Sequence, residues 1–396
     1  MADFRARGRV ARGDETALRI AIATDWFAPR RGGMEQQLGE LAERLAARGH
    51  VVDVITSVPG AVDGQSFRVR ALDVMTIPRL QLAVSPRLFR ALHRELARGY
   101  DVVHAHVSVV SPVGYAAAIV ARLLGLPVVI TFHSVLRSKR YLLRAANLLG
   151  GLSESAVVWT AVSDLVAEQI REALDGADVA ALRNGVDLAF WRTNSFDRPA
   201  EDRAVTLVST MRLRRKKRPL ELLRAFAGAA ERVRANVKLL IVGDGPERAA
   251  LERAIADFRL DNGRARAALL GWLDRDKLRE LYRTSDAFAL SSTRESFGIA
   301  ALEARAAGLP VVAMRASGSS EFLAHHANAL LCADDADLSR SMERLIDEAE
   351  LRTKLAHGPE SLERYDWRVV LAEHEAVYRS AMQRATSAAA AVATSS

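Results

Sequence analysis

A buried strand followed by a polar loop and a helix is the most constraining pattern in this sequence, and it is clearest between residues 287 and 303. The apolar run Ala287 to Leu290 predicts the strand, Ser291 to Ser296 the loop, and the alanine-rich segment from about Gly298 the helix. Such joints lie at the carboxyl edge of a parallel sheet, where open α/β folds bind their ligands. Glu295 on the loop and Glu303, about a turn and a half into the helix, are therefore candidate binding residues.

The residue types in this stretch suit a ligand that carries both hydroxyl and phosphate groups. Carboxylates accept hydrogen bonds from sugar or ribose hydroxyls, and the amides at a helix start favour anions. Taken singly, Glu295 and Glu303 are better explained as a solvated loop residue and a helix-surface residue. The whole string, rather than either glutamate alone, points to a site.

Composition limits the class of protein. With 396 residues, of which 49% are hydrophobic, two domains of somewhat under 200 residues are expected. The single cysteine, Cys332, excludes an internal disulfide. No apolar run is long enough to span a bilayer and residues 1–18 lack the apolar core of a signal peptide, so a cytoplasmic protein is expected. The net charge of +8 predicts an anionic partner.

The first half opens with a βαβ unit whose loop contains Gly32 and Gly33. The third, spaced glycine of the dinucleotide fingerprint is missing, which argues against a nicotinamide enzyme. A glycine pair at a helix start still lets backbone amides approach a phosphate. An ordinary tight turn is the alternative.

Three histidines are brought together by two predicted strands. His104 and His106 alternate along one strand and share a face, and His133 ends the next strand. No carboxylate or cysteine lies at ligand spacing, which argues against a metal site. Lining a cleft, or satisfying backbone groups at the strand end, is the favoured interpretation.

Two basic segments are candidate binding sites for anionic partners. The segment 135–144 carries four cations beside apolar residues, which is compatible with peripheral contact with an anionic membrane. A solvated helix face or an acceptor-recognition loop is the favoured interpretation. Six of the seven residues from Arg212 to Arg218 are basic. Because no aromatic residues interleave, a strand-to-helix loop that binds a diphosphate is favoured over nucleic acid.

Several strings together resemble the retaining family-four glycosyltransferases. They are Glu295-Ser-Phe-Gly with Glu303 and the following Ala-Arg-Ala-Ala-Gly-Leu-Pro-Val-Val, Thr-Phe-His-Ser ending after His133, and Asn-Gly-Val-Asp at 184–187. The resemblance implies that Glu295 and His133 contact the donor sugar and that Arg212 and Lys217 bind the donor diphosphate. It also implies a donor-binding role for eight glycine-loop or helix-start residues and one glutamate: Gly32, Gly33, Gly243, Gly271, Trp272, Ser296, Phe297, Gly298 and Glu303. Trp272 is equally compatible with a core position.

The sequence departs from the family pattern at three places. Arg218 stands where a glycine usually follows the lysine, so Lys216, Lys217 and Arg218 all remain candidates for the phosphate contact. Gly318-Ser-Ser-Glu lacks the usual second glycine and proline, and Ala329 follows Asn328 where a glycine is usual. These departures affect the donor base and sugar rather than the fold.

The resemblance implies two Rossmann-like, doubly wound domains facing across a cleft, the glycosyltransferase B fold. The predicted organisation is a flexible tail 1–18, an acceptor domain 19–190, a linker 191–204, a donor domain 205–365, a helix 366–383 that crosses back to the first domain, and a flexible tail 384–396.

The expected activity is transfer of a sugar, without a metal or other cofactor, from a UDP-sugar or GDP-mannose to a hydroxyl acceptor in glycolipid, polysaccharide or glycoconjugate synthesis. A phosphorylase or nucleotide-sugar epimerase of the same fold, a non-catalytic binding module and a nucleic-acid binder are the alternatives, in that order.

Overall fold

Apolar strands separated by amphipathic helices form two parallel sheets, each within its own compact unit. Unit 1 comprises Met1–Val162, Val166–Leu182 and Leu371–Ser396, and unit 2 comprises Ser163–Leu165 and Arg183–Val370. The computed structural model describes residues 17–77, 82–83, 85–136, 140–152, 156–192, 204–257, 265–358 and 362–394. Most of the predicted linker, and residues 1–16 of the predicted tail, lie outside this part of the chain.

Unit 1 contains a seven-stranded sheet in the order β3-β2-β1-β6-β7-β8-β9, with every pair parallel. A short antiparallel pair, β4-β5, lies apart from it. The strands are β1 (Arg19–Thr24), β2 (Val51–Thr56), β3 (Arg68–Ala71), β4 (Thr76–Ile77), β5 (Leu82–Ala83), β6 (Val102–Val107), β7 (Val128–Phe132), β8 (Val157–Ala161) and β9 (Val179–Ala181). The first five helices are α1 (Gly33–Ala47), α2 (Leu88–Leu96), α3 (Pro112–Leu123), α4 (Arg140–Gly150) and α5 (Asp164–Ala173).

Unit 2 contains a six-stranded sheet in the order β12-β11-β10-β13-β14-β15, again with every pair parallel. Its strands are β10 (Val205–Thr210), β11 (Val237–Val242), β12 (Ala265–Gly271), β13 (Ala287–Leu290), β14 (Val311–Met314) and β15 (Ala329–Cys332). Its helices are α6 (Leu188–Trp191), α7 (Pro219–Arg232), α8 (Arg248–Ala256), α9 (Arg275–Thr284), α10 (Ile299–Ala306), α11 (Asp335–Asp347) and α12 (Ala349–Ala356). The predicted α/β class with two doubly wound domains is confirmed.

The strand order reverses once in each sheet, between β1 and β6 in unit 1 and between β10 and β13 in unit 2. At such a reversal the loops leave the carboxyl ends of two adjacent strands in opposite directions and open a crevice. Central strands such as β6 and β13 are buried along their whole length, which explains their continuous apolar or neutral sequences.

The last helix, α13 (Trp367–Thr394), is 28 residues long. The sequence predicts an end near Met382, but the helix continues through the alanine-rich segment that follows, because alanine has the highest helix propensity. Residues from Leu371 onward belong to unit 1, where Glu375 receives two hydrogen bonds from the guanidinium of Arg48, at 2.5 and 2.9 Å.

Candidate functional site

The loop between β13 and α10 carries the two predicted glutamates and is shaped by a glycine. Gly298 caps α10 in the left-handed conformation, with φ 95°, and a Cβ there would lie 3.0 Å from Cβ of Ser319. Both features make any residue with a side chain unfavourable at this position. The side chain of Phe297 is buried against Phe322 and Tyr365, so any contact that Phe297 makes with a donor is through its backbone.

Glu295 is buried and ion-paired. It is 7% exposed, and the ammonium of Lys217 lies 2.5 Å from its Oε1. The two residues are 78 positions apart in sequence and follow β13 and β10, the strands at which the order reverses. The predicted sugar-binding carboxylate and the predicted diphosphate-binding cation therefore form one ion pair at the carboxyl edge of the sheet.

Glu303 lies on α10 and is also only 7% exposed. Its charge adds to the effect of burial in raising the pKa of Tyr282. The hydroxyl groups of Tyr282 and Thr210 are hydrogen-bonded at 3.0 Å, which places Glu303 near the end of β10. Ser296 is half-buried, and its carbonyl oxygen would lie 2.1 Å from a Cβ added at Gly318.

The basic loop after β10 separates its cations into two groups. Arg218 has φ 61° and ψ 49°, so it adopts the left-handed conformation of the glycine that it replaces. Its guanidinium donates to Asp335 at 2.6 Å and contacts the carbonyl oxygen of Ser291 at 3.4 Å. Arg218 is thus engaged by α11 and by the loop after β13, whereas Lys217 is directed to Glu295.

Lys216 and Arg212 complete this loop. Lys216 is exposed, and partial desolvation together with the charges of Lys217 and Arg214 lowers its pKa. Arg212 is half-buried immediately after Met211. No carboxylate within salt-bridge distance of Lys216 is found among the residues that the structure describes.

Two further loops of unit 2 end at the same sheet edge. Gly243 has φ 139°, and a Cβ there would lie 1.8 Å from the carbonyl oxygen of Met211. Its amide donates to the carbonyl of Gly271 at 2.7 Å, which joins the ends of β11 and β12. Trp272 is 50% exposed, so the alternative of a core position for this residue is wrong.

In unit 1, the predicted glycine pair lies at the start of α1. Gly32 is the N-cap with extended backbone, Gly33 is the first helical residue, and Glu35 in the first turn pairs with Arg30 at 2.9 Å. The structure also identifies Asp25, which sequence analysis missed. Burial raises the pKa of Asp25 to about 6. The hydrogen bonds that its carboxylate accepts from the backbone amides of Val113 and Gly114 act in the opposite direction and are the smaller effect. Asp25 could have been found in the sequence from its position directly after β1, at the strand reversal.

The three predicted histidines form one cluster at the ends of β6 and β7. Nδ1 of His106 lies 2.9 Å from Nε2 of His133, and the rings of His104 and His106 have centroids 3.9 Å apart and an interplanar angle of 37°. Burial, then the neighbouring imidazole of His374, lowers the pKa of His133 to about 3. No group of three or more His, Cys, Asp or Glu side chains that could hold a metal is found in the described ranges.

The basic segment 135–144 is only partly described. Residues 137–139 lie outside the described part of the chain, and of the remaining cations Arg144 donates to the carbonyl oxygen of Ala173 at 2.8 Å and to Asp175 at 2.9 Å. Arg144 therefore caps the end of α5. Of the helices that the structure describes, none is both long and apolar enough to cross a bilayer.

Comparison with known proteins identifies the family. Residues 192–358 match the family model of the glycosyl transferases group 1, and residues 31–190 match that of glycosyltransferase family 4. Phosphatidyl-myo-inositol mannosyltransferase of Mycolicibacterium smegmatis is 30% identical over 372 residues, which cover 91% of this chain and 93% of that protein. The chain belongs to the group 1 glycosyl transferases.

A second relative and a solved structure agree with this assignment. N-acetyl-alpha-D-glucosaminyl L-malate synthase of Bacillus anthracis is 27% identical, with 88% of this chain and 94% of that protein covered. The Anabaena HepE structure in complex with UDP and glucose has a TM-score of 0.68 and 20% identity, and the match covers 90% of this chain and 98% of that one. The protein is thus a glycosyltransferase, and the glycosyltransferase B fold class is confirmed.

Proposed function

We propose that this group 1 glycosyl transferase moves a sugar from a nucleoside diphosphate sugar to a hydroxyl acceptor, with retention of configuration and without a metal. The observation that carries the proposal is the ion pair of Lys217 with buried Glu295 at the strand reversal of unit 2. A single residue pair there combines a cation for the diphosphate with an acceptor for a sugar hydroxyl.

The pair suits both halves of a sugar nucleotide. An ammonium group has three N–H donors, and only one is used by Oε1 of Glu295, so the others are available to phosphate oxygens. Glu295 accepts from Lys217 through one oxygen and offers the second to a sugar hydroxyl. Because the carboxylate is already held by Lys217 at 2.5 Å, its position is fixed before the donor binds.

Charge on the departing diphosphate is the main electrostatic problem of the reaction, alongside an oxocarbenium-like sugar. Lys217, Lys216 and Arg212 on the loop after β10 supply cations for this charge, which supports a mechanism without a metal. The lowered pKa of Lys216 fits a group that gains a phosphate partner when the donor binds.

Retention is proposed on the resemblance to the retaining family-four glycosyltransferases, and reaction on one face of the sugar would achieve it without a covalent intermediate. A covalent glycosyl-enzyme intermediate needs a carboxylate as nucleophile. The positive charge of Lys217, 2.5 Å from Oε1 of Glu295, weakens this carboxylate as a nucleophile. We therefore assign Glu295 to sugar binding, and the leaving phosphate to acceptance of the proton from the acceptor hydroxyl.

For the donor we favour a uridine diphosphate sugar, because the HepE structure contains UDP and glucose and a relative is named for transfer of an N-acetylglucosaminyl unit. GDP-mannose is the second candidate, since the M. smegmatis relative is named a mannosyltransferase. The acceptor hydroxyl would belong to an inositol-containing lipid or a small hydroxy acid, the two acceptor types that these relatives' names contain.

A thermal-shift and product-release screen of the full chain tests the proposal. UDP-glucose, UDP-N-acetylglucosamine and GDP-mannose would be compared for wild type, Glu295→Gln and Lys217→Met. Stabilisation by one donor, with slow nucleotide release and with weaker stabilisation of both variants, is expected. Arg232→Met serves as a matched control, because it breaks a surface ion pair with Glu343 in the same unit.

The same screen distinguishes the alternatives. Product formed without an acceptor would indicate an epimerase, and dependence on inorganic phosphate would indicate a phosphorylase. Equal stabilisation of wild type, Glu295→Gln and Lys217→Met by every nucleotide sugar would refute the site assignment.

A further inference from the structure

The histidine pair in β6, His104 and His106, has no role in the function proposed above, although both side chains are buried beside His133. The hydrogen bonds of the cluster determine which ring nitrogens carry protons. This assignment leads to a specific role for His106.

The proton positions on His104 follow from the hydroxyl groups around it. The hydroxyl of Thr160 donates to the carbonyl of Ile130 at 3.1 Å, so its oxygen accepts from Thr131, 2.6 Å away. Thr131 in turn accepts from Nε2 of His104 at 2.6 Å. His104 is therefore protonated at Nε2, and its Nδ1 accepts from the hydroxyl of Tyr378 at 3.0 Å.

His106 has a different arrangement, because only one of its nitrogens has a partner. Nδ1 lies 2.9 Å from Nε2 of His133, while Nε2 is enclosed and has no hydrogen-bond partner among the described residues. A buried N–H without an acceptor is rarer in proteins than an acceptor without a donor. The proton of His106 therefore belongs on Nδ1, and the lone pair belongs on the enclosed Nε2.

This choice determines the tautomer of His133. Since Nε2 of His133 accepts from His106, a neutral imidazole must carry its proton on Nδ1. The backbone amide of His133 donates to the carbonyl of Val107 at 2.8 Å, which fixes the residue directly after β7. The side chain is half-buried, so its outer edge remains accessible.

We propose that His106 is a positioning residue that donates from Nδ1 to Nε2 of His133 and thereby presents Nδ1–H of His133 to an oxygen of the bound sugar nucleotide. The inference rests on the function proposed above. His133 then acts as a fixed neutral donor and not as a proton-transferring acid or base. The lowered pKa values of His106 and His133, both caused first by burial, agree with neutral rings.

Nuclear magnetic resonance of the full chain labelled with 15N-histidine tests the tautomer directly. The chain has nine histidines, and loss of signals in His133→Ala assigns the relevant pair of nitrogens. A protonated-type shift for Nδ1 and an unprotonated-type shift for Nε2 of His133 are expected in wild type. The reverse pattern, or a charged ring at neutral pH, would overturn the proposal whether or not the protein uses nucleotide sugars.

A matched pair of variants tests the positioning role. In His106→Asn the side-chain amide retains an N–H donor near the position of Nδ1, whereas His106→Leu has a similar shape and no donor. His106→Leu is expected to lower kcat/KM for the donor about tenfold, the effect of one lost hydrogen bond, and His106→Asn to restore it to within about threefold of wild type. Equal losses in both variants would overturn the role.

The His133→Ala background provides the last control. There, His106→Leu is expected to change kcat/KM less than twofold, because the residue that it positions is absent. A full tenfold loss in this background would mean that His106 acts through the fold. If His106→Leu does not fold, the proposal is tested by the wild-type tautomer of His133 and by whether His106→Asn keeps kcat/KM within about threefold of wild type. If wild type binds no nucleotide sugar, the proposed function fails, while the tautomer remains decided by the spectrum.

Discussion

The histidine cluster of unit 1 and the charged loops of unit 2 use opposite electrostatic designs. His104 and His106 are almost fully buried, and burial lowers the pKa of each imidazole well below its ordinary value. Glu295 of unit 2 is also buried, but it is directly ion-paired with Lys217. In the first region burial favours neutral imidazoles, and in the second a buried carboxylate contacts a cation.

This difference has a physical cause in the neighbouring groups. Burial disfavours the charged form of any side chain, and a counter-charge within a few ångströms or hydrogen bonds to the charged form oppose that effect. The groups around His104 are imidazoles and hydroxyls, which provide no negative charge. The loop after β10 provides a cation, Lys217, directly beside the carboxylate of Glu295.

Acid should therefore weaken unit 1 most. A pKa lowered in the folded state means that the folded protein binds fewer protons than the unfolded chain below pH 6.5, so stability is lost as pH falls. His104, His106 and His133, whose pKa values are all lowered first by burial, each contribute to this loss. Asp25, with its pKa raised to about 6, opposes this loss by about 1 kcal/mol, because its folded form takes up a proton first.

Hydrogen exchange measured by mass spectrometry at pH 7.5 and pH 5, corrected for intrinsic rates, checks this prediction. Strand β6 should lose protection while β10 keeps it. His104→Gln should reduce the loss. If β6 and β10 lose protection equally, the proposed contrast between the two units is wrong.

The ion pair of unit 2 should respond to substitution rather than to moderate acid. Lys217→Met leaves a buried carboxylate without its counter-charge and removes a cation from the proposed diphosphate site, so kcat/KM for transfer should fall about hundredfold. Glu295→Gln should cause a similar loss. Because the two side chains act as one unit, the double variant should lose much less than the product of the single losses.

Steady-state kinetics of the four proteins, together with urea unfolding of each, separates loss of function from loss of fold. Independent losses that multiply would contradict the view that Lys217 and Glu295 form a single functional unit. Arg232→Met, at a surface pair in the same unit, should remain within about twofold of wild type.

The sequence is sufficient for the fold and for much of the unit 2 edge, for definable reasons. Strand and helix periodicity are local, and the alanine-rich segment predicted a helix beginning near Gly298, which caps α10 with φ 95°. The contacts between distant residues were not accessible in this way. Tyr378 lies 274 positions from His104, and their hydrogen bond depends on how α13 packs within unit 1.

Side-chain direction was similarly beyond the sequence. Lys216, Lys217 and Arg218 are adjacent and chemically alike, so composition does not distinguish them. The short 3-10 helix Arg215–Lys217 and the left-handed Arg218 turn them in different directions. The predicted role of Phe297 also needed the structure, because its burial leaves only the backbone for a ligand.

Glycine positions at the sheet edge of unit 2 give a sharper test of how closely its loops are packed. Gly243→Ala should lower the free energy of unfolding by about 3 kcal/mol, since the strained φ is combined with a contact of 1.8 Å to the backbone oxygen of Met211. Gly271→Ala has the strained φ of 71° but no atom closer than 3.6 Å, and should cost about 1 kcal/mol. Urea unfolding measures both, and equal costs would show that the close approach is relieved by a loop shift.

Arg218 offers the finest test, because its backbone and its side chain contribute with opposite signs. Arg218→Ala removes the partly exposed pair with Asp335 and keeps the left-handed strain, so it should destabilise by up to about 1 kcal/mol. Arg218→Gly removes the same pair and relieves the strain, and should be about 1 kcal/mol more stable than Arg218→Ala. If Lys216 and Lys217 bind the diphosphate, both variants should retain the affinity for UDP to within about threefold, measured by calorimetry. A loss of tenfold or more in both variants would instead place Arg218 in the phosphate site, despite its hydrogen bond to Asp335.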